Sequence, residues 1–128
     1  MIVYALLGIF KDEKFSYART AIVPEATFSI LSSKIASELN CIEKLEKPFK
    51  SYFPYIGNID IDSVCIVDKA IIDGGVIETK TIFHIVPPEA LNDCQCEAIL
   101  GRDIILWWKL VYDRFSGKVR SLIAKPIQ

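Results

Sequence analysis

Apolar and polar positions along this chain fall into runs of strand length, separated by turn-forming residues. Ile2 to Phe10 and Phe15 to Val23 are rich in β-branched and aromatic residues. The charged Lys11-Asp12-Glu13-Lys14 between them suits a hairpin connection. Pro24 has no N–H and holds Val23 in extended geometry, so the pattern predicts that the chain leaves the ladder there. Phe28 to Leu31 predicts a short strand. Ser32-Ser33 opens a helix running to about Leu39, with either serine as N-cap and Asn40 as the stop.

The middle of the chain reads as β throughout. Phe49 to Asn58 is an aromatic segment in which Pro54 argues against a central strand and Gly57-Asn58 supplies a turn. Ile59 to Val67 alternates in its first half, as a half-buried strand should. Ala70-Ile71-Ile72, Asp73-Gly74-Gly75 and the run Val76 to Val86 predict a hairpin with a tight turn. Pro87-Pro88 ends it, and Glu89 to Glu97 is a polar loop. Ala98-Ile99-Leu100 is a short strand closed by Gly101, and Arg102 to Leu110 fits a helix with Ile105, Trp108 and Lys109 on an incomplete apolar face. Leu110 to Tyr112 and Val119 to Ile123, joined by a turn at Arg114 to Gly117, complete a last hairpin.

Composition narrows the class. The 128 residues suit one domain, 1–128, with 52% hydrophobic and 24% charged residues, a profile of a folded globular chain. Fifteen Lys and Arg nearly cancel sixteen Asp and Glu, so no global field recruits nucleic acid or an anionic membrane. The apolar opening to Phe10 is too short to span a bilayer and lacks the features of a secretory signal, so a cytoplasmic protein is expected. Cys94-Gln95-Cys96 projects two thiols to one face, but with Cys41 and Cys65 standing apart and His84 the only histidine, no metal site and no cofactor are expected. A disulfide from Cys94 or Cys96 to another loop cysteine is compatible with the sequence, and spacing does not decide it.

Ala21-Ile22-Val23-Pro24-Glu25-Ala26-Thr27-Phe28-Ser29, followed far downstream by Ile99-Leu100-Gly101-Arg102-Asp103, resembles the two hallmarks of the retropepsin-like aspartic proteases. The helical segment Ile35 to Leu39 and Leu110-Val111-Tyr112-Asp113 extend the resemblance over most of the chain, from Ile2 to about Ile123. It implies a mainly β fold, a closed acid-protease β-barrel with one or two short helices, and homodimers. It also places Phe49 to Asn58 at the flap that closes over a bound peptide, making Tyr52, Phe53 and Tyr55 candidate peptide contacts, with packing under the flap or against a subunit as the alternative. Arg102 falls where the family braces its active-site region.

The chemistry departs from the family at one place. There, two aspartates about 3 Å apart share a proton and activate water. Gapless alignment puts Val23 at the acid, Pro24 at the Thr or Ser whose hydroxyl ties two loops together, and Glu25 at the glycine that admits substrate. Val23 cannot hold a proton, Pro24 offers neither hydroxyl nor N–H, and Glu25 adds bulk. Glu25 is the one substitute acid, two residues late on a longer side chain. Ile71-Ile72-Asp73-Gly74-Gly75 imitates the motif but lies too close to Ile99 to leave room for a flap, and reads as a turn. Asp103 reads as a helix N-terminal residue, and Trp107-Trp108 as core or subunit contact.

Three functions follow as expectations. The first is a catalytically inactive retropepsin-like domain that binds a peptide or protein ligand or associates with itself. The second is an active endopeptidase using Glu25 in a homodimer. The third is a structural or assembly protein that reuses the barrel.

Overall fold

A computed structural model describes residues 2–127. The chain is mainly β. Strands β1 (Val3–Lys11) and β2 (Lys14–Ile22) form the opening hairpin, in register from Val3 opposite Ile22 to Lys11 opposite Lys14. After a loop come β3 (Ile30–Ser32) and helix α1 (Ser33–Glu38), whose N-cap Ser32 accepts the Lys34 N–H. Asn40, at φ 51°, turns the chain out of the helix, an αL position that asparagine tolerates. The predicted strand Phe28–Leu31 is displaced to Ile30–Ser32, because Phe28 and Ser29 are held in the loop by other partners described below.

A long hairpin follows, β4 (Glu43–Phe53) and β5 (Gly57–Val67). Strand β4 was not legible from its charged pattern. It is an edge strand with a register shift between Lys44 and Phe49, which accommodates Pro48, and only Leu45, Phe49 and Phe53 of its apolar residues turn toward the core. The turn lies at Pro54–Ile56, not at Gly57-Asn58, which open β5.

Strands β6 (Lys69–Ile72) and β7 (Gly75–Ile77) form the expected hairpin, with Asp73 at φ 47° and Gly74 at φ 76°, the two left-handed residues of a tight two-residue turn. The run to Val86 is not one strand. The chain breaks after Ile77, and β8 (Thr81–Val86) pairs with β5 and with β3 instead. A 3-10 turn at Pro88–Leu91 leads to β9 (Ala98–Leu100) and α2 (Arg102–Trp107). Lys109, at φ 50°, ends α2 three residues before the predicted Leu110, and its buried residues are Ile104 and Trp108 rather than Ile105 and Lys109. β10 (Leu110–Asp113) and β11 (Lys118–Ser121) form a separate two-stranded sheet, and β12 (Lys125–Pro126) pairs with β7.

The other ten strands make one sheet in the order β12-β7-β6-β1-β2-β9-β3-β8-β5-β4. No ladder joins β12 to β4 among the described residues, so the hydrogen-bonded order is linear. β1 lies between β2 and β6, but β6 pairs only with Leu7 to Phe10, so Val3 to Leu6 has a ladder partner on the β2 side alone among the described residues; Met1 lies outside them.

Side chains pack on both faces. Ala98 and Leu100 enter one apolar cluster with Leu7, Leu31, Phe83 and Trp108; Ile99 enters a second with Val23, Ile30, Phe53 and Ile61. A strand buried on both faces reads as a continuous apolar run, which is why Ala98-Ile99-Leu100 lacks alternation. The cysteines form two disulfides, Cys41 with Cys65 and Cys94 with Cys96; neither Cys94 nor Cys96 reaches a distant loop cysteine. Among the described residues no helix is long and apolar enough to cross a membrane. Asp113 closes the last hairpin by accepting the Phe115 N–H at 2.9 Å, and that bond holds its carboxyl below the ordinary carboxylate value. The hairpin contact is therefore present at neutral pH and weakens as acid protonates Asp113.

Trp108 is fully buried and its indole N–H donates to Thr81 Oγ1 at 3.0 Å, tying α2 to β8. Trp108→Ala is expected to lower unfolding free energy by about 3–5 kcal/mol, through cavity formation and loss of the indole bond to Thr81 Oγ1, whose hydroxyl keeps its own bond to Thr79 O. A shift of the urea midpoint at unchanged m-value measures it.

Candidate functional site

Strand β9 runs parallel to β2 and antiparallel to β3, so the loop between β2 and β3, residues 23–29, meets the segment that follows β9. The Val23 N–H continues the β2–β9 ladder by donating to Leu100 O at 2.9 Å. Ala26 N–H donates back to Val23 O at 3.0 Å, which places Pro24 and Glu25 at the two corners of a tight turn, with proline at the corner its fixed φ suits. Val23 is 1% exposed and belongs to the second apolar cluster, while Pro24 and Glu25 are exposed.

Behind the turn the two segments are stitched together. The buried Ser29 hydroxyl donates to Asp103 Oδ1 at 2.6 Å and accepts the Gly101 N–H at 2.8 Å. The Ser29 N–H donates to Asp103 Oδ2 at 3.2 Å, and the Ile104 N–H to Asp103 Oδ1 at 2.7 Å. Asp103 thus receives three donors, two of them from backbone, in the first turn of α2. The Arg102 N–H donates to Ala26 O at 2.7 Å. Gly101 is required by space alone: a Cβ there would lie 2.6 Å from Phe28 O and 2.7 Å from Ala26 O. His84 closes the far side, its backbone N–H donating to Ser29 O at 2.9 Å and its ring tilted against Phe28 and edge-on to Phe49.

The predicted site residues divide. Val23, Pro24 and Glu25 form one turn, and Tyr55 comes to them across space: Ile2, Ile22, Val23, Pro24, Glu25, Pro54 and Tyr55 line one cleft of about 390 Å³. Tyr52 is exposed but does not line that cleft, and Phe53 is 1% exposed in the second cluster, so Phe53 is a core residue and no surface contact. Its parity in β4 fixes this, and the unrecognised strand hid it. Arg102 braces through its backbone N–H; its side chain is exposed and has no hydrogen-bond or ion-pair partner among the described residues. The carboxylate of the bracing pair is Asp103, with Ser29, a residue that sequence reading passed over because a serine in a loop carries no distinctive signal. Glu25 has no ion pair or hydrogen bond among the described residues. No group of three or more His, Cys, Asp or Glu side chains is gathered as for a metal there.

No family model matches the chain, and no curated protein does. Among solved structures, the retroviral protease-like domain of Ddi1 from Leishmania major is similar, with a TM-score of 0.62 at 12% sequence identity, over 100% of this chain and 94% of that one. At that identity the likeness is one of fold: this is a mainly β, retropepsin-like fold.

Ser29 is the test of the stitching. Ser29→Ala strands the Gly101 N–H and removes a charge-assisted bond from Asp103, for an expected loss of about 3 kcal/mol. A double-mutant cycle with Asp103→Ala, followed by chemical denaturation, should give a coupling of more than about 1 kcal/mol.

Proposed function

We propose that this protein is a catalytically inactive retropepsin-like domain that binds an extended peptide in the cleft between the Val23–Ala26 turn and the tip of the β4–β5 hairpin. The observation that carries the reading is Val23. At the position that the resemblance matches to the catalytic acid, a buried valine packs among apolar side chains, while the frame around it keeps Gly101 and the Ser29–Asp103 pair. No carboxyl, hydroxyl or amide of residues 23–24 is left to activate water.

The hairpin tip acts as the flap in this reading. Tyr55, held at φ 70°, offers a rigid aromatic surface opposite Pro24 and is 49% exposed. One cluster draws side chains from β1, β2, β3, β5, β6, β7, β8 and β9, which supports a sheet wrapped as a barrel around it. Glu25 does not replace the lost acid, because it stands at a turn corner on the surface with no hydrogen-bond or ion-pair partner among the described residues.

Calorimetric titration with a library of short blocked peptides is expected to give saturable binding, weakened about tenfold or more by Tyr55→Ala. Incubation of the same peptides from acidic to neutral pH should leave them uncleaved. Cleavage abolished by Glu25→Gln would reverse the reading in favour of a peptidase.

A specific observation favours self-association alongside peptide binding. The β10–β11 sheet has no ladder to the main sheet among the described residues, and Leu106 (69%) and Trp107 (58%), at the end of the helix that precedes it in sequence, are exposed. Two such sheets pairing across a twofold axis would cover unpaired edges and apolar side chains together. Sedimentation velocity is expected to show a dimer that Trp107→Glu shifts to monomer; a monomer at all concentrations refutes it.

A further inference from the structure

The Pro24–Glu25 corner is a ridge between two clefts. On one side lies the cleft of about 390 Å³ under the hairpin tip. On the other, Val3, Ile22, Pro24, Glu25, Ile105, Leu110, Val111, Tyr112 and Val119 line one of about 340 Å³. Ile22, Pro24 and Glu25 belong to both. Apart from Glu25, no lining residue of either cleft carries a charge at neutral pH, and Glu25 has no cationic partner among the described residues.

The backbone that carries this carboxylate is also held in place. Proline fixes one corner of the turn, and the flanking Val23 N–H to Leu100 O and Ala26 N–H to Val23 O bonds anchor its two ends. An unpaired anion on a fixed turn, set between two clefts whose other lining side chains are uncharged and mostly apolar, is complementary to a cation flanked by uncharged, apolar groups.

We infer that the peptide bound by this domain carries a lysine or arginine facing Glu25, with apolar residues on either side filling the two clefts. This rests on the peptide-binding reading and adds the class of ligand. Glu25, which stands where the resemblance expects a glycine, is then a specificity residue: the side chain that crowds a catalytic loop supplies the charge that selects a ligand.

The test uses the full chain and three blocked peptides of alanine, valine and threonine that differ only at a central lysine, norleucine or glutamate. Wild-type protein is expected to bind the lysine peptide about threefold to fivefold more tightly than the norleucine peptide at low salt, the scale of a partly exposed ion pair. The glutamate peptide binds weakest. High salt should compress the series. Glu25→Gln should bring the lysine-to-norleucine ratio to about one, and Glu25→Lys should invert the order of lysine and glutamate; thermal melts confirm that both exposed substitutions fold.

Binding of all three peptides with equal affinity overturns the charge selection and leaves the peptide-binding reading intact. Binding of none, by a protein whose melt is cooperative, overturns both. A lysine preference that survives Glu25→Gln also refutes the inference, since the selecting charge then lies elsewhere.

Discussion

Three residues, Ala98, Ile99 and Leu100, join the two halves of the ten-stranded sheet. On one side of β9 stand β2, β1, β6, β7 and β12; on the other, β3, β8, β5 and β4. Within that sheet no other ladder connects the halves among the described residues, so the whole architecture depends on a strand too short to be held by its own pairing. Its security comes from both sides of the sheet and from its end. All three residues are fully buried, alternating between two apolar clusters. Immediately after them, Gly101 and Asp103 are fastened to Ser29 by bonds that leave no buried polar side-chain atom unsatisfied. In a buried network each member's loss leaves another unpaired, so the fastening is cooperative.

That dependence explains which parts of the site resist change. Gly101 cannot gain a Cβ without striking two carbonyl oxygens, and Asp103 cannot be lost without releasing Ser29. Neither contact requires a catalytic acid. The turn at Pro24 and Glu25 faces solvent and contributes nothing to the stitching beyond its backbone. The stitching therefore does not depend on which side chains stand at positions 24 and 25.

Much of this was legible in the chain, and what was not has physical reasons. The β1–β2 hairpin, the β6–β7 turn, α1 with its serine cap, and the final hairpin are local structures whose signals lie in adjacent residues. The parallel pairings of β2 with β9 and β3 with β8 join residues far apart in sequence, and no local pattern encodes them. Strand β4 was hidden by its edge position, where lysines, glutamates and Pro48 guard exposed backbone groups and imitate a loop. Missing that strand also left Phe53 open between a peptide contact and packing under the flap, since burial in a strand is decided by parity and parity cannot be read until the strand is recognised. At the site, the Val23-Pro24-Glu25 turn was visible as a departure from a family pattern. The Ser29–Asp103 pair was not, because its meaning depends on two loops meeting in space.

The same geometry bears on whether Val23, Pro24 and Glu25 stand singly or as a connected set. A lone aspartate at position 23 would enter an apolar cluster of Ile30, Phe53, Ile61, Val86 and Leu91, where an ionised carboxyl without donors is strongly disfavoured. An acid in that place needs a loop that turns it toward water and supplies hydrogen bonds; Pro24 has no N–H to give, and Glu25 occupies the space before the cleft. Conversely, once position 23 is apolar and buried, the turn it anchors is free to carry a rigid proline and a long exposed side chain at no cost to the core. The three residues are thus consistent with one another as a buried anchor, a fixed corner and a presented charge, and each makes the others easier to keep.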